Sequence, residues 1–434
     1  MMKKSICMLA CVLAAMHTFA QADWTRARQE IHDNILLCGS NLTAYVDPTA
    51  EDKLTPAPKG YEPFYMSHYG RHGSRWLTSE GQYTDVLIPL RRGHAQGKLT
   101  PVGERLLADL EKFFQGCDKR FGDLTTVGER QHHRIGRRMT ENFPEIFGAK
   151  NAEVDARSTV VIRCILSMTA ACEELTAFNP RLKIHNDASE SLQWYMNARA
   201  TKAVRNAVDK RGDVVDRYRN KLLRPERFCR QLFNDEAYMR DSVDQQELMR
   251  RTFSVCCNMQ SHDDGLNLWS LFNEDECYDL WRTYNIKWYT ELGNSPLTNG
   301  VGPFRQKNLL QNMIETADTI VGKKKYHGAT LRFGHESVVL PFASLLELGE
   351  TAERVENLDT LDRVWASYRI FPMACNVQLV FYRPKKGRDG DILVKALLNE
   401  REVSMPVEPV KFPYYRWEDL RAYYAAKLQR YADY

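Results

Sequence analysis

Residues 67 to 76 read SHYGRHGSRW and set Arg71 and Arg75 around His72 in a turn punctuated by Gly70 and Gly73. Cations at this spacing repel one another unless an anion lies between them, and the glycines let backbone and side chains close around it. The chemistry suggested is an oxyanion pocket, with phosphate as the first candidate. A solvated basic turn is the plain alternative for any single R-x-x-x-R. Two further stretches have the same character. LRFGHES ends an apolar run at Gly334 and places His335 and Glu336 directly after it, and ARSTVVIRC puts Arg163 near the start of a helical pattern. Helix starts attract anions through free N–H groups and the helix dipole.

These residues are far apart in the chain, so the elements between them must bring them together. Phe64-Tyr65-Met66 reads as a short apolar strand leading into the first turn. Val154 to Arg157 reads as a strand end, and residues 159 to 177 as a helix capped by Ser158 or Thr159. Ala329 to Phe333 is a strand, followed by a helix over 337 to 348 that carries Pro341. NVQLVFYRP and DILVKALLN form a late antiparallel pair, whereas residues 190 to 290 are charged, Met-rich and helical in spacing. The layout predicts an α/β protein, a three-layer α/β/α core with a mainly parallel sheet and an inserted helical cap. Its expected divisions are a leader at 1–22, core at 23–185, cap at 186–300 and core again at 301–434. Parallel strands end at one edge of their sheet, so the three junctions could deliver Arg71, His72, Arg75, Arg163, His335 and Glu336 to one crevice. LTPVGER at 99–105 and LTTVGER at 124–130 echo one another, each a loop and N-cap opening a helix.

Lys3 and Lys4, the apolar run Ile6–Ala15 and the small residues at Ala20 and Ala22 have the form of a secretory signal, which predicts a periplasmic or secreted protein. Met8-Leu9-Ala10-Cys11 is a weak lipoprotein-like box that would cut the apolar run in half. No later segment is apolar for long enough to span a bilayer, so no stable membrane insertion is expected. With 60 Lys and Arg against 56 Asp and Glu, the formal net charge of +4 argues against general nucleic-acid binding and makes any anion site local. Of 11 cysteines, Cys7 and Cys11 fall in the leader, leaving an odd number. Disulfides are permitted outside the cytosol, but most of these cysteines read as small core residues, and no spacing suggests zinc.

Taken together, Arg71-His72-Gly73-Ser74-Arg75, Arg163 within its S-T-x-x-x-R-x-x-x-S run, and His335-Glu336 resemble the histidine phosphatase superfamily, in its acid-phosphatase and phytase branch. The resemblance runs from about residue 30 to the C-terminus. Within the branch the chain is most similar to multiple inositol polyphosphate phosphatases, through its R-H-G-S-R form, the Glu in place of Asp, and the tail LLNEREVSMPV followed by PYYRW. Two positions depart from the family. Trp76-Leu77 stands where many members have a proline, and His335 and Glu336 are adjacent where one residue often intervenes. Both leave the phosphate clamp intact, and they leave the placement of the acid open.

The resemblance implies His72 as nucleophile, forming a phosphohistidine, and Glu336 as proton donor to the leaving oxygen. Arg71, Arg75, Arg163 and His335 would bind the phosphoryl oxygens, and no metal or cofactor is required because the guanidinium groups neutralise the developing charge. The partner is then a small-molecule phosphate monoester, an inositol polyphosphate such as phytate; the oligomeric state stays open. A broad acid phosphatase for sugar or nucleotide monophosphates is the alternative enzyme, and an exported phosphate-ester-binding protein without turnover is the alternative from another class. Arg91 and Arg92 are candidate contacts to distal phosphates, with Lys323-Lys324-Lys325 a weaker one. His132-His133 reads as a helix flank, and His262-Asp263-Asp264 as a turn.

Overall fold

A computed structural model describes residues 24–434 apart from Ala198, Lys324 and Asp433, so the leader and its cysteines lie outside the described residues. One mixed sheet organises the chain. Its strands are β1 (Tyr61–Arg71), β2 (Glu153–Ser158), β3 (Lys183–Asp187), β4 (Gly328–Gly334), β5 (Asn376–Pro384), β6 (Leu393–Leu398), β7 (Arg401–Val403) and β8 (Tyr415–Arg416). The order is β3-β2-β4-β1-β5-β6-β7, with β8 on β6. From β3 to β1 the strands are parallel, and from β5 onward each pairs antiparallel with its neighbour.

The parallel half is covered on both faces, as buried parallel strands require. On one side lie α1 (Thr126–Asn142) and α2 (Ile162–Phe178), whose Ile135, Met139, Met168 and Leu175 pack with Val154, Ala156, Leu331 and Phe333 of the sheet. The other side carries α3 (Lys307–Val321), α4 (Glu336–Leu345) and α5 (Trp417–Arg430), with Leu309, Met313, Leu340 and Leu420 packed with Tyr65, Tyr69 and Phe381. Complete burial of a side chain such as Phe333, 1% exposed, contributes about 1.5 to 3 kcal/mol. These are the three layers expected. β1 runs well beyond the apolar triplet read from sequence, because Ser67, His68 and Gly70 are paired on both sides, to β4 and to β5.

Between β3 and β4 the named elements are all helical. This segment shares a third apolar cluster with chain that precedes β2: Leu90, Leu106 and Leu110, from the helices Gly81–Ala95 and Pro101–Gln115, pack with Phe228, Phe253 and Trp281. The boundary expected at residue 186 therefore divides the sequence but not this core. All nine described cysteines are free and buried, and burial pushes thiols such as Cys257 up. No helix among the described residues is long and apolar enough to cross a membrane.

Candidate active site

Three strand ends build the site. Arg71 is the last residue of β1 and lies in register with Gly334, the last of β4, while Ser158, the last of β2, lies opposite Phe333. Past Arg71 the chain is gripped from both sides. The His72 N–H donates to the Gly334 carbonyl at 2.9 Å, and the His72 carbonyl accepts from the Ala374 N–H at 3.1 Å. His335 is the N-cap of α4 and Glu336 its first residue. Arg163 lies in the first turn of α2. That helix begins three residues later than the spacing predicts, since its cap, Val161, makes no side-chain cap. The Thr159 hydroxyl lies instead 3.3 Å from His335 Nε2.

The six expected residues converge. Arg71 is wholly buried, and its Nη1 donates to the carbonyls of Asn41 at 2.5 Å and Phe371 at 3.2 Å. Its Nε lies 3.2 Å from Glu336 Oε2, and the same carboxylate oxygen is 3.7 Å from His72 Nε2. The His72 and His335 rings meet edge to face at 5.8 Å. Arg75 donates to the Trp76 carbonyl at 2.9 Å and Arg163 to the Gly122 carbonyl at 3.2 Å, which leaves the Nε of each without a hydrogen-bond partner in the buried interior. Unsatisfied donors beneath a cleft are expensive unless a ligand completes them.

One contact sets the tautomer of His72. Its Nδ1 lies 2.8 Å from the Gly73 carbonyl, and a carbonyl only accepts, so Nδ1 carries the proton and Nε2 keeps its lone pair. Nε2 is buried and makes no hydrogen bond. Burial, with the charges of Arg71, Arg75 and Arg163, holds the imidazole well below its ordinary pKa and therefore neutral. His335 is lowered to about 4, by burial first and then by the arginines against the pull of Glu336. For Glu336, burial pushes the carboxyl up, but Arg71, Arg75 and His335 outweigh it and hold it at about 2.

The loop is cradled by the N-terminal turns of α1, whose sequence reads only as a cap and a flank. Thr125 caps the helix through the Gly128 N–H and donates its own N–H and hydroxyl to the Ser74 carbonyl at 3.0 and 3.1 Å. Gln131 accepts from the Ser74 N–H at 2.8 Å and donates to its hydroxyl at 3.0 Å. His132, wholly buried, donates from Nε2 to the Arg71 carbonyl at 3.0 Å. Its signal was the repeat itself: the first copy uses Thr100 in the same way, capping at Gly103 and binding the Gln231 and Leu232 carbonyls of the insertion. In the second copy Gly128 and Gly73 pack backbone to backbone, and a Cβ on Gly128 would overlap Ser74. Gly128→Ala must displace the loop, so kcat/KM is expected to fall by about 100-fold, the cost of a misplacement near 1 Å, with circular dichroism unchanged. Full activity in that variant would show that the cradle does not position the loop.

Three candidates lie elsewhere. Arg91, half exposed, pairs with Glu111 at 2.9 Å on the helix Gly81–Ala95, and neither it nor the exposed Arg92 lines a cavity next to the nest. Lys323 and Lys325 precede the N-terminal end of β4, whereas the site is at its C-terminal end. Asp263 pairs with Arg130 at 2.5 Å, and residues 263 and 264 lie in a turn. Basic side chains do flank the nest, but from the helical insertion. Arg75 shares a cavity of about 230 Å³ with Arg250, Arg251 and Lys287. These come from α-helices Gln245–Asn258 and Glu274–Leu292, and the first of them ends at Asn258, which donates to the Arg75 carbonyl at 2.9 Å.

The family model described as histidine phosphatase superfamily (branch 2) matches residues 71–399. No curated protein sequence matches the chain. Among solved structures, the Bifidobacterium longum multiple inositol polyphosphate phosphatase bound to inositol hexasulfate superposes with a TM-score of 0.71 at 18% identity, over 90% of this chain and 98% of that one. The phytase from D. castellii gives 0.68 at 14% identity, over 91% and 86%. The Hafnia alvei phytase bound to tartrate gives 0.54 at 12% identity, over 85% and 98%. At these identities the likeness is one of fold.

Proposed function

The chain belongs to branch 2 of the histidine phosphatase superfamily, and from that premise we propose that it hydrolyses inositol polyphosphates such as phytate through a phosphohistidine at His72. The observation that carries this reading is the free Nε2 of a neutral, tautomer-locked His72 inside a nest of three arginines. Nε2 attacks phosphorus in line, and the bond to the leaving oxygen breaks as Glu336 gives that oxygen a proton. Arg71, Arg75 and Arg163 take the phosphoryl charge through forked N–H groups, and His335 adds a donor. Water then attacks phospho-His72, losing its proton to Glu336 and restoring both side chains. The choice of inositol polyphosphates is supported by solved structures similar to this one, a multiple inositol polyphosphate phosphatase and a phytase. Export, read from the leader, belongs to the same proposal. A binding protein without turnover would have no use for an unprotonated imidazole nitrogen facing its ligand.

Rapid mixing with labelled phytate and an alkaline denaturing quench tests the mechanism. Label is expected on His72, with chelator leaving turnover unchanged and phytate preferred over glucose 1-phosphate, a nucleotide and p-nitrophenyl phosphate. Activity lost to chelator and restored by a divalent ion, or label absent from His72, would overturn it. A flat preference across the four substrates would favour a broad acid phosphatase instead.

A further inference from the structure

The end of the sheet opposite the site carries an exposed surface of mixed character. β1 runs from Tyr61 to Arg71, so its first residue lies about 30 Å from His72. Beside Tyr61, residues 55–59 and 410–414 enclose a cavity of about 440 Å³ walled by Pro56, Pro58, Leu393 and Tyr414. Both segments are braced. The Tyr414 hydroxyl donates to the Thr55 and Pro56 carbonyls at 2.9 and 2.6 Å, and the Val410 N–H to the Tyr414 carbonyl at 2.9 Å. On this loop Val410 and Phe412 are each 50% exposed, on either side of the exposed Lys411. Lys59, Lys385, Lys386 and Arg388 stand nearby: the Lys385 N–H donates to the Gly60 carbonyl at 2.8 Å, and the Arg388 side chain lies against Gly60. All of these cations are exposed, and none, Lys411 included, makes an ion pair among the described residues. Arg416 is taken by Asp391 at 2.9 Å and Asp419 at 3.7 Å. Asp389 and Glu408 are exposed acids of the same loops, so the free cations outnumber them.

We propose that this surface docks on an anionic phospholipid bilayer, with Val410 and Phe412 entering the headgroup boundary while Lys411, Lys59, Lys385, Lys386 and Arg388 meet the lipid phosphates. Unpaired cations are drawn to a negative membrane surface, and apolar side chains between them gain by leaving water at that depth. A loop already braced loses little freedom on docking. A soluble polyanion would answer the lysines but offer nothing to Phe412 and Val410. The contact is reversible adsorption of a loop, distinct from insertion, and needs no spanning helix. Because the surface and the His72 pocket lie at opposite ends of β1, a docked molecule keeps its pocket open to solutes.

The test sediments the full chain with vesicles of phosphatidylcholine alone and of phosphatidylcholine mixed with phosphatidylglycerol, at low and at high salt, with thermal melts to verify folding. Binding is expected to the mixed vesicles at low salt and to be weakened by high salt. Lys411→Gln should lower the partition coefficient about fivefold, the share of one surface lysine. Phe412→Ser should lower it roughly tenfold, through apolar area no longer buried, and Phe412→Trp, an interfacial side chain, should retain it. The leader is common to every variant, so differences between them report the loop. Equal sedimentation with both vesicle types, or with neither, overturns the proposal. So does a Phe412→Ser variant that binds like the wild type, the mark of a purely ionic site for a soluble polyanion. A dimer seen without lipid by sedimentation velocity and broken by Phe412→Ser overturns it in favour of a second copy of the chain. Should Phe412→Ser not fold, Val410→Ser takes its place under the same criteria.

Discussion

His72→Ala is expected to abolish turnover, with kcat on phytate falling on the order of 10⁶-fold, as when the nucleophile of a covalent mechanism is removed. The arginine nest does not depend on the imidazole: Arg71 is fixed by the Asn41 and Phe371 carbonyls and Arg75 by that of Trp76. The variant should therefore still bind phytate while giving no phosphoenzyme. Residual turnover within about tenfold of wild type would mean that water attacks phosphorus directly. The pH profile carries a linked signature. Attack needs neutral His72, and burial together with the three arginines holds its pKa well below the ordinary value. As pH falls, activity should persist through 6.5, the unperturbed histidine value, and decline only further into acid. A decline centred on 6.5 in kcat/KM would contradict a buried, arginine-flanked nucleophile.

Glu336→Gln is expected to slow phytate dephosphorylation by about 10²- to 10⁴-fold, the usual worth of general acid catalysis. Formation of the phosphoenzyme from p-nitrophenyl phosphate should fall much less. An inositol alkoxide cannot leave without a proton, whereas p-nitrophenolate can. In the free protein the carboxyl is held at about 2 by Arg71, Arg75 and His335, too low to carry a proton at working pH. A phosphate entering the nest offsets those charges, and burial, the largest influence on the group, then drives its pKa upward. Binding an unreactive oxyanion such as sulfate should draw a proton from the buffer in the wild type and not in Glu336→Gln, which calorimetry in buffers of different ionisation enthalpy measures. If single-turnover rates on both substrates fall equally, Glu336 positions the phosphate and the acid lies elsewhere.

The candidate site residues are legible because each follows a short apolar run closed by a glycine or a polar turn, and such runs in a parallel sheet end at one edge. Arg71, His335 and Glu336 could be placed from that rule alone, and Arg163 from the helical pattern after β2. What was not legible depends on which side chains meet across the fold. His132 and His133 are neighbours with the same local context, yet His132 is buried beneath the Arg71 carbonyl and His133 reaches Glu174 at the surface. Nothing in a helical spacing separates a flank from a floor. Arg250 and Lys287 sit in two helices of the insertion, and only the docking of those helices on the loop at Arg75 makes them neighbours of the site. Arg91 follows the first motif closely in sequence, but the helix Gly81–Ala95 carries it to a half-exposed pair with Glu111. Lys323 and Lys325 precede β4 at its N-terminal end, remote from the His72 end of the sheet.

Before any ligand arrives, Glu336 places a carboxylate oxygen 3.2 Å from Arg71 and 3.7 Å from His72 Nε2, against the same donors that a phosphoryl group at His72 would use. A tethered anion competes at a high effective concentration against a free one. Orthophosphate left after hydrolysis therefore contends with a resident that cannot diffuse away, and its departure is favoured as the carboxylate swings back. Weak inhibition by orthophosphate is the expected outcome, measured as its inhibition constant against phytate.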